Sequence, residues 1–282
     1  MKTAERVTQA ILDALDRGVC PWKMEWRGGR PISIDGYRYR GINRFLLSMS
    51  DYDDNRWLTV HKANELGGNV KKGEHGQLVI LWKKSQYTKE NPETGEEEVH
   101  KGLLLRGYTV FNVEQCEGLP ERFTKSTPTV GEPLAEANAI WEGYEDGPSL
   151  DYRGARAYYR PSTDEIVLPK PGRFNTAEAF YSTLFHEAIH STGIKARLSR
   201  PDFEKRDYES YGTEELVAEM GAAMLCAECG IQSTLENSAA YCKGWAEAIR
   251  QNPANMIIKV ASQAQRAADY ILGRREQPRD EE

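Results

Sequence analysis

The sequence predicts an α+β protein of two domains, and three observations support that prediction. Basic residues and aromatic rings are interleaved in residues 21–84, whereas helical periodicity dominates the second half. Between them, residues 117–133 hold three prolines and two glycines among polar residues, a composition typical of a linker. We therefore expect a small mixed α+β domain over residues 1–125 and a mainly helical domain over residues 126–282.

The N-terminal half begins with a predicted amphipathic helix over residues 3–17, in which apolar residues recur at three- and four-residue steps. The alternation and turn signals that follow predict short elements and a hairpin with a long polar tip. These elements are a short strand over 33–39, helices over 43–49 and 59–66, and hairpin strands over 78–82 and 103–113.

The C-terminal half is predicted to be mainly helical. One helix should span 176–192, because Thr176 can cap it and Glu178 lies in its first turn. The other predicted elements are helices around 134–145, 214–229, 234–250 and 253–272, and two strands at 157–159 and 166–168.

Composition excludes several classes of protein. No stretch approaches the roughly 18 apolar residues that cross a bilayer, and the first residues lack the apolar centre of a signal peptide. Five cysteines, an odd number, are typical of reduced thiols, so we expect a cytoplasmic protein without a membrane partner. The pair Cys226 and Cys229 lies late in a predicted helix with no second pair, which favours buried thiols over a second metal site.

The net charge of -6, from 37 basic and 43 acidic residues, argues against a generic nucleic-acid coat. That average conceals a local excess of basic charge. Residues 21–84 contain 12 basic and 7 acidic side chains, a net of +5, together with eight aromatic rings. A positive groove interleaved with rings is what binding of single-stranded DNA requires.

The strongest chemical signal is the string from His186 to His190, which reads H-E-x-x-H inside a predicted helix. Two histidines four residues apart leave the same helix face and can hold one Zn²⁺ ion. Glu187 follows the first histidine, where a carboxylate can take a proton from water activated by the metal.

A catalytic zinc site needs a third protein ligand. Ala196 occupies the position at which one subclass of these enzymes carries a third histidine, so a carboxylate from another helix is expected instead. Glu215 is the predicted third ligand, and Glu219, four residues later, is predicted to accept a hydrogen bond from a ligand histidine. The alternative is that these glutamates, with Glu214, form a solvated charged face.

These residues resemble the ArdC-type antirestriction proteins carried by conjugative plasmids and phages. The matching stretches are 21–22, 39–43, 57–59 and 67–74 in the first half, and 159–161, 164–169, 186–193, 197–198 and 214–221 in the second. The resemblance implies an N-terminal domain that binds single-stranded DNA, a C-terminal zincin-like metallopeptidase domain, and protection of incoming DNA from host restriction. It also implies that His186, Glu187, His190 and Glu215 have the metal-site roles.

The predicted DNA contacts are residues whose rings could stack on bases or whose charges could meet phosphates. They are Tyr37, Arg38, Tyr39, Arg40, Arg44, Lys71 and Lys72. Trp22, Trp57 and Trp82 are instead expected in the core.

Three functional hypotheses follow from the sequence. The preferred one is a DNA-binding zinc metallopeptidase of the antirestriction type, acting on an unknown protein or peptide. The second is a DNA-binding shield with a structural or vestigial zinc site and no peptidase activity. The third is a peptidase whose N-terminal domain recruits protein rather than DNA.

Overall fold

The fold is α+β, in agreement with the prediction. A computed structural model describes most of the chain, namely residues 2–23, 30–50, 52, 54–90, 97–123, 133–154, 156–174, 176–201, 203, 208–231, 239–251 and 255–274. Among the described helices, none combines the length and apolar character that crossing a bilayer requires.

The N-terminal half packs three helices against a small sheet. The helices are α1 (Thr3–Asp16), α2 (Ile42–Ser48) and α3 (Val60–Glu65). The strands are β1 (Ile32–Ser33), β2 (Arg56–Leu58), β3 (Asn69–Val70), β4 (Gln77–Glu90), β5 (Glu97–Asn112) and β6 (Cys116–Glu117). One sheet has the order β1-β2-β5-β4, and β3 pairs with β6.

The predicted hairpin is confirmed, and its strands are longer than expected. Strands β4 and β5 pair antiparallel from Gln77 opposite Val110 to Glu90 opposite Glu97. The expected strand over 33–39 is wrong, because a tight turn interrupts it. Gly36 adopts a φ of +88°, a conformation that favours glycine, and the chain folds back so that Arg38 bridges to Ile32.

Among the described residues, the C-terminal half contains five helices and a three-stranded sheet of its own. The helices are α4 (Pro133–Glu142), α5 (Ala177–Ser191), α6 (Tyr208–Glu228), α7 (Ala239–Arg250) and α8 (Met256–Ile271). The strands β7 (Ser149–Tyr152), β8 (Tyr158–Arg160) and β9 (Glu165–Leu168) form a sheet of order β7-β9-β8. The sequence predicted β8 and β9 but missed β7, a four-residue strand with little periodicity.

Residues from both halves share the largest hydrophobic cluster. Ile11 of α1 and Phe45 of α2 belong to the same cluster as Ile257 of α8, and the Trp22 ring packs edge-on against Trp245 of α7. The predicted boundary near residue 125 falls in residues 124–132, outside the described part of the chain, and stays a prediction.

Helices α5 and α6 pack in close contact at Gly221. A Cβ atom added there would lie 2.6 Å from Cδ1 and 2.8 Å from Cγ1 of Ile189, which is fully buried in α5. Because Gly221 has no side chain, the Ile189 side chain packs directly against the backbone of α6. The separation of the two helices sets how far a side chain of α6 reaches toward α5.

We predict that Gly221→Ala destabilises the protein by about 1–3 kcal/mol, because the added methyl group must displace the buried Ile189. Gly212 lies in the same helix with nothing within 4 Å of the corresponding Cβ position, and Gly212→Ala is the matched control. That control should stabilise the helix by about 0.5–1 kcal/mol. Urea unfolding measures both, and equal behaviour of the two variants would contradict the close packing.

Candidate metal centre

Helix α5 presents the two histidines of the H-E-x-x-H string on one face. The helix begins where predicted, since the Thr176 hydroxyl accepts a hydrogen bond from the Ala179 backbone at 3.1 Å. Its opposite side packs into the core through Leu184 and Ala188. The Nε2 atoms of His186 and His190 lie 3.2 Å apart as a result.

Glu215 of α6 brings a carboxylate to the same point. Its oxygens lie 3.5 Å from Nε2 of His186 and 3.5 Å from Nε2 of His190. Ligands about 2.0–2.1 Å from a tetrahedral zinc ion are separated from one another by about 3.3 Å. The three side chains therefore fit a zinc ion with one coordination position left for water or substrate.

Carboxylates surround the first histidine. Burial disfavours its imidazolium form, but the hydrogen bond to Glu215 and the charges of Glu187 and Glu219 outweigh burial and raise the pKa of His186. Glu187 itself is only 7% exposed. Negative charge concentrated around imidazole nitrogens is suited to a divalent cation.

The carboxylate behind the second histidine is Glu214. Its Oε1 atom lies 3.3 Å from Nδ1 of His190, so an Nδ1–H donor leaves Nε2 free to bind metal. Glu214 rather than Glu219 therefore lies behind His190, and the hydrogen bond expected from a ligand histidine to Glu219 stays a prediction. Glu219 is half-buried and acts on His186 through its charge.

Glu214 is buried and paired rather than solvated. The Arg200 guanidinium donates from Nε to Glu214 Oε2 at 2.9 Å and from Nη2 to Oε1. Burial opposes the charged form of Glu214, but the hydrogen bonds from His190 and Arg200 lower its pKa in sum. The alternative of a solvated glutamate face therefore fails at this position.

The predicted DNA contacts divide into exposed and buried groups. Tyr37 is 57% exposed, and Arg38, Lys71 and Lys72 are exposed as well. Lys71 donates through Nζ to the Glu114 carbonyl at 2.8 Å.

Two of the predicted contacts are wrong for this structure. Tyr39 is only 8% exposed and packs in the cluster with Trp57, so its ring offers no open face to a base. Arg44 is fully buried, with Nη1 3.6 Å from Glu228 of α6, and cannot reach a phosphate. Arg40 is half-buried and forms an ion pair with Asp269 of α8.

One face of the β4–β5 hairpin carries a basic and apolar patch that the sequence analysis missed. Leu81 lies opposite Arg106, and Lys83 lies opposite Leu104, with all four side chains exposed. We call these four residues the hairpin patch. On the same strand face, Val79 and Tyr108 pack with Tyr39, whose ring contacts Tyr37. The signal was available, since leucines alternate with basic residues on both strands.

Two family profiles match the chain in order along the sequence. The N-terminal domain of the anti-restriction factor ArdC matches residues 1–111, and a zincin-like metallopeptidase domain matches residues 137–263. The metal-free crystal structure of the antirestriction protein ArdC from plasmid R388 aligns with a TM-score of 0.77 and 37% identity, covering 95% of this chain and 96% of that one. The chain belongs to the ArdC antirestriction family.

Other ArdC-family similarities extend over most of the chain. The Mn(II)-bound structure of the R388 ArdC protein aligns with a TM-score of 0.77 and 35% identity, covering 97% of this chain and 98% of that one. Protein y4eC of Sinorhizobium fredii is 33% identical over 95% of this chain and 90% of its own length. The zincin-like fold and the ligand cluster together support a metal cofactor.

Two DNA primases named TraC from Escherichia coli are 33% and 32% identical over 95% of this chain. The chain spans only 27% and 20% of their respective lengths. An ArdC-like unit is therefore one part of those longer proteins.

The Cys226 and Cys229 thiols are buried in the core, as expected. Burial raises the pKa of each thiol to about 12. The thiolate form of either cysteine is therefore rare in the folded protein at pH 8.

We predict that the native protein reacts with a disulfide thiol reagent far more slowly at pH 8 than the unfolded protein does. The rate should rise with pH, because the fraction of reactive thiolate grows until the pH passes the pKa. In denaturant all five cysteines should react with the reagent, since all five are free thiols in the folded protein. Rapid reaction of Cys226 and Cys229 themselves in the native protein would contradict the burial of this pair.

We predict that Glu215→Gln weakens metal binding by more than about 100-fold, because it removes the charge of a direct ligand. Glu219→Gln, the matched control on the same helix, should weaken binding by about 10-fold or less. Chelator competition measures both dissociation constants. A larger loss of affinity from Glu219→Gln than from Glu215→Gln would contradict the assignment of Glu215 as the third ligand.

Proposed function

We propose that this protein binds single-stranded DNA through its N-terminal half and cleaves a peptide bond at a zinc site in its C-terminal half. We infer that these two properties together protect incoming plasmid or phage DNA from host restriction in the cytoplasm. The observation that carries the proposal is the cluster of His186, His190 and Glu215, with the buried Glu187 one residue from the first ligand. Membership of the ArdC family supports the antirestriction role.

The proposed chemistry is hydrolysis of an amide. His186, His190 and Glu215 would hold a zinc ion, which would serve as a Lewis acid and lower the pKa of water toward neutral. The Glu187 carboxylate accepts a proton from the attacking water as the new C–O bond forms. The same carboxyl group then donates that proton to the amide nitrogen as the C–N bond breaks, which leaves a carboxylic acid and an amine.

Zinc is the ion that we propose, because two imidazoles and one carboxylate in near-tetrahedral spacing form a donor set typical of zinc hydrolases. The R388 ArdC protein has a Mn(II)-bound crystal structure, which makes Mn(II) the alternative ion to test. Metal analysis of protein purified without added metal identifies the resident ion.

DNA binding is proposed for the surface that combines Tyr37, Arg38 and the hairpin patch. Exposed leucines and a tyrosine offer apolar contact to bases, and the arginines and Lys83 offer charge to phosphates. Lys72 adds a further exposed charge on the turn before β4. This surface belongs to the half of the chain that matches the ArdC N-terminal domain.

We predict that Glu187→Gln abolishes peptide cleavage, with a loss of about 10²–10⁴-fold or more, while metal affinity stays within about threefold of wild type. The substitution keeps the size of the side chain and removes its ability to accept a proton. Mass spectrometry of a proteome-derived peptide library incubated with zinc-loaded protein measures the cleavage. Cleavage by Glu187→Gln at the wild-type rate would contradict the mechanism.

The same variant distinguishes the metallopeptidase hypothesis from the DNA-binding shield hypothesis. Transfer of an unmodified plasmid into a restricting host, with wild type or Glu187→Gln present, measures protection. Loss of protection with the variant would support a role for peptide hydrolysis. Full protection by the variant would overturn that role and favour the DNA-binding shield.

We predict that Lys83→Glu and Arg106→Glu each weaken binding of a fluorescent oligonucleotide and reduce the slope of log affinity against log salt by about one. Lys243→Glu is the matched control, because it makes the same charge change at an exposed position of α7. We expect no loss of oligonucleotide affinity from this control. Affinity that does not fall with salt would contradict phosphate binding and favour recruitment of protein.

A further inference from the structure

An arginine lies behind the second metal ligand without contacting the position of the metal. Arg200 is only 5% exposed; the Glu214 carboxylate connects it to the His190 ring, and Nη2 also donates to the His190 carbonyl at 3.5 Å. We propose that Arg200 is a positioning residue, which holds Glu214 so that Glu214 orients His190 toward the metal. The inference rests on the proposed metal site and is independent of whether the protein cleaves peptides.

The contact between Arg200 and Glu214 fixes both oxygens of the carboxylate. Nε of Arg200 donates to Oε2 at 2.9 Å and Nη2 donates to Oε1, so the two planar groups meet as a fork. Oε1 is also the atom that faces Nδ1 of His190 at 3.3 Å. Rotation of the Glu214 carboxylate would therefore break the bond to Arg200 and the bond to the ligand together.

The guanidinium is itself held by the end of α5. Nη2 donates to the Ile189 carbonyl at 2.9 Å, and Nη1 donates to the Thr192 hydroxyl. These bonds lock Arg200 to the same helix that carries both histidines. A lysine has the same charge but a single nitrogen, so it cannot make the fork and the helix contacts at once.

Gly193 makes room for this arrangement. A Cβ atom at Gly193 would lie 2.8 Å from Nη2 of Arg200 and 2.4 Å from the ring of Phe203. The glycine three residues after His190 is therefore required by the approach of Arg200 and Phe203.

The test compares Arg200→Lys with Arg197→Lys in the full-length protein. Arg197 also supports the end of α5, through a hydrogen bond to the Ser191 carbonyl at 2.9 Å, but its side-chain partner is Asp164. Both variants lose an arginine at the same helix end. Only Arg200 has a direct contact with Glu214.

The measurements are the Zn²⁺ dissociation constant by chelator competition and the visible spectrum of the Co²⁺-substituted protein, which reports the geometry of the ligands. Arg200→Lys should weaken Zn²⁺ binding by about 10–100-fold and change the Co²⁺ bands. Arg197→Lys should leave the Zn²⁺ dissociation constant within about threefold of wild type and the Co²⁺ bands unchanged in shape. Equal behaviour of the two variants would overturn the proposal, because a purely structural role at the helix end would affect both alike.

A second variant keeps the proposal testable if Arg200→Lys does not fold. Glu214→Gln alone should weaken Zn²⁺ binding by about 10–100-fold and change the Co²⁺ bands, and unchanged binding and bands would overturn the proposal. Where Arg200→Lys folds, adding it to Glu214→Gln should cost little further affinity. Losses that multiply in the double variant would overturn a role through Glu214. A wild-type protein that binds no Zn²⁺ would instead refute the metal site itself, which separates failure of the proposed function from failure of this inference.

Discussion

The metal site depends on the close contact between α5 and α6 at Gly221 and Ile189. Helix α5 supplies two imidazoles on one face, but two ligands do not make a catalytic zinc site. The proposed third ligand comes from α6, and its carboxylate lies 3.5 Å from both histidines where Ile189 packs directly against the α6 backbone at Gly221. The glycine that permits this contact lies six residues after Glu215, so packing and coordination are set by one short segment of one helix.

That same segment also supplies the support behind a ligand. Glu214 and Glu215 are adjacent in sequence, yet one faces the back of His190 and the other faces the metal position. At its far end α6 carries Glu228, which forms ion pairs with Arg30 and pairs at longer range with the buried Arg44. Helix α6 therefore connects the proposed metal site to the N-terminal half through buried charges as well as through the shared hydrophobic cluster.

The sequence predicted what depends on local spacing and could not predict what depends on helix packing. The α5 cap at Thr176 and the shared face of His186 and His190 follow from helical geometry, and the structure has both. Whether Glu214 or Glu219 supports a ligand depends on how α6 is rotated against α5, which no local pattern encodes. The burial of Arg44 was missed because its partner, Glu228, lies far along the chain.

The central claim is that one ion binds between α5 and α6 with Glu215 as its third protein ligand. Anomalous diffraction from crystals of the zinc-loaded full-length protein tests this most directly. We expect a single zinc peak about 2.0–2.2 Å from Nε2 of His186, Nε2 of His190 and a carboxylate oxygen of Glu215. A zinc ion coordinated by Glu214 or Glu219 instead, or located away from the two histidines, would contradict it.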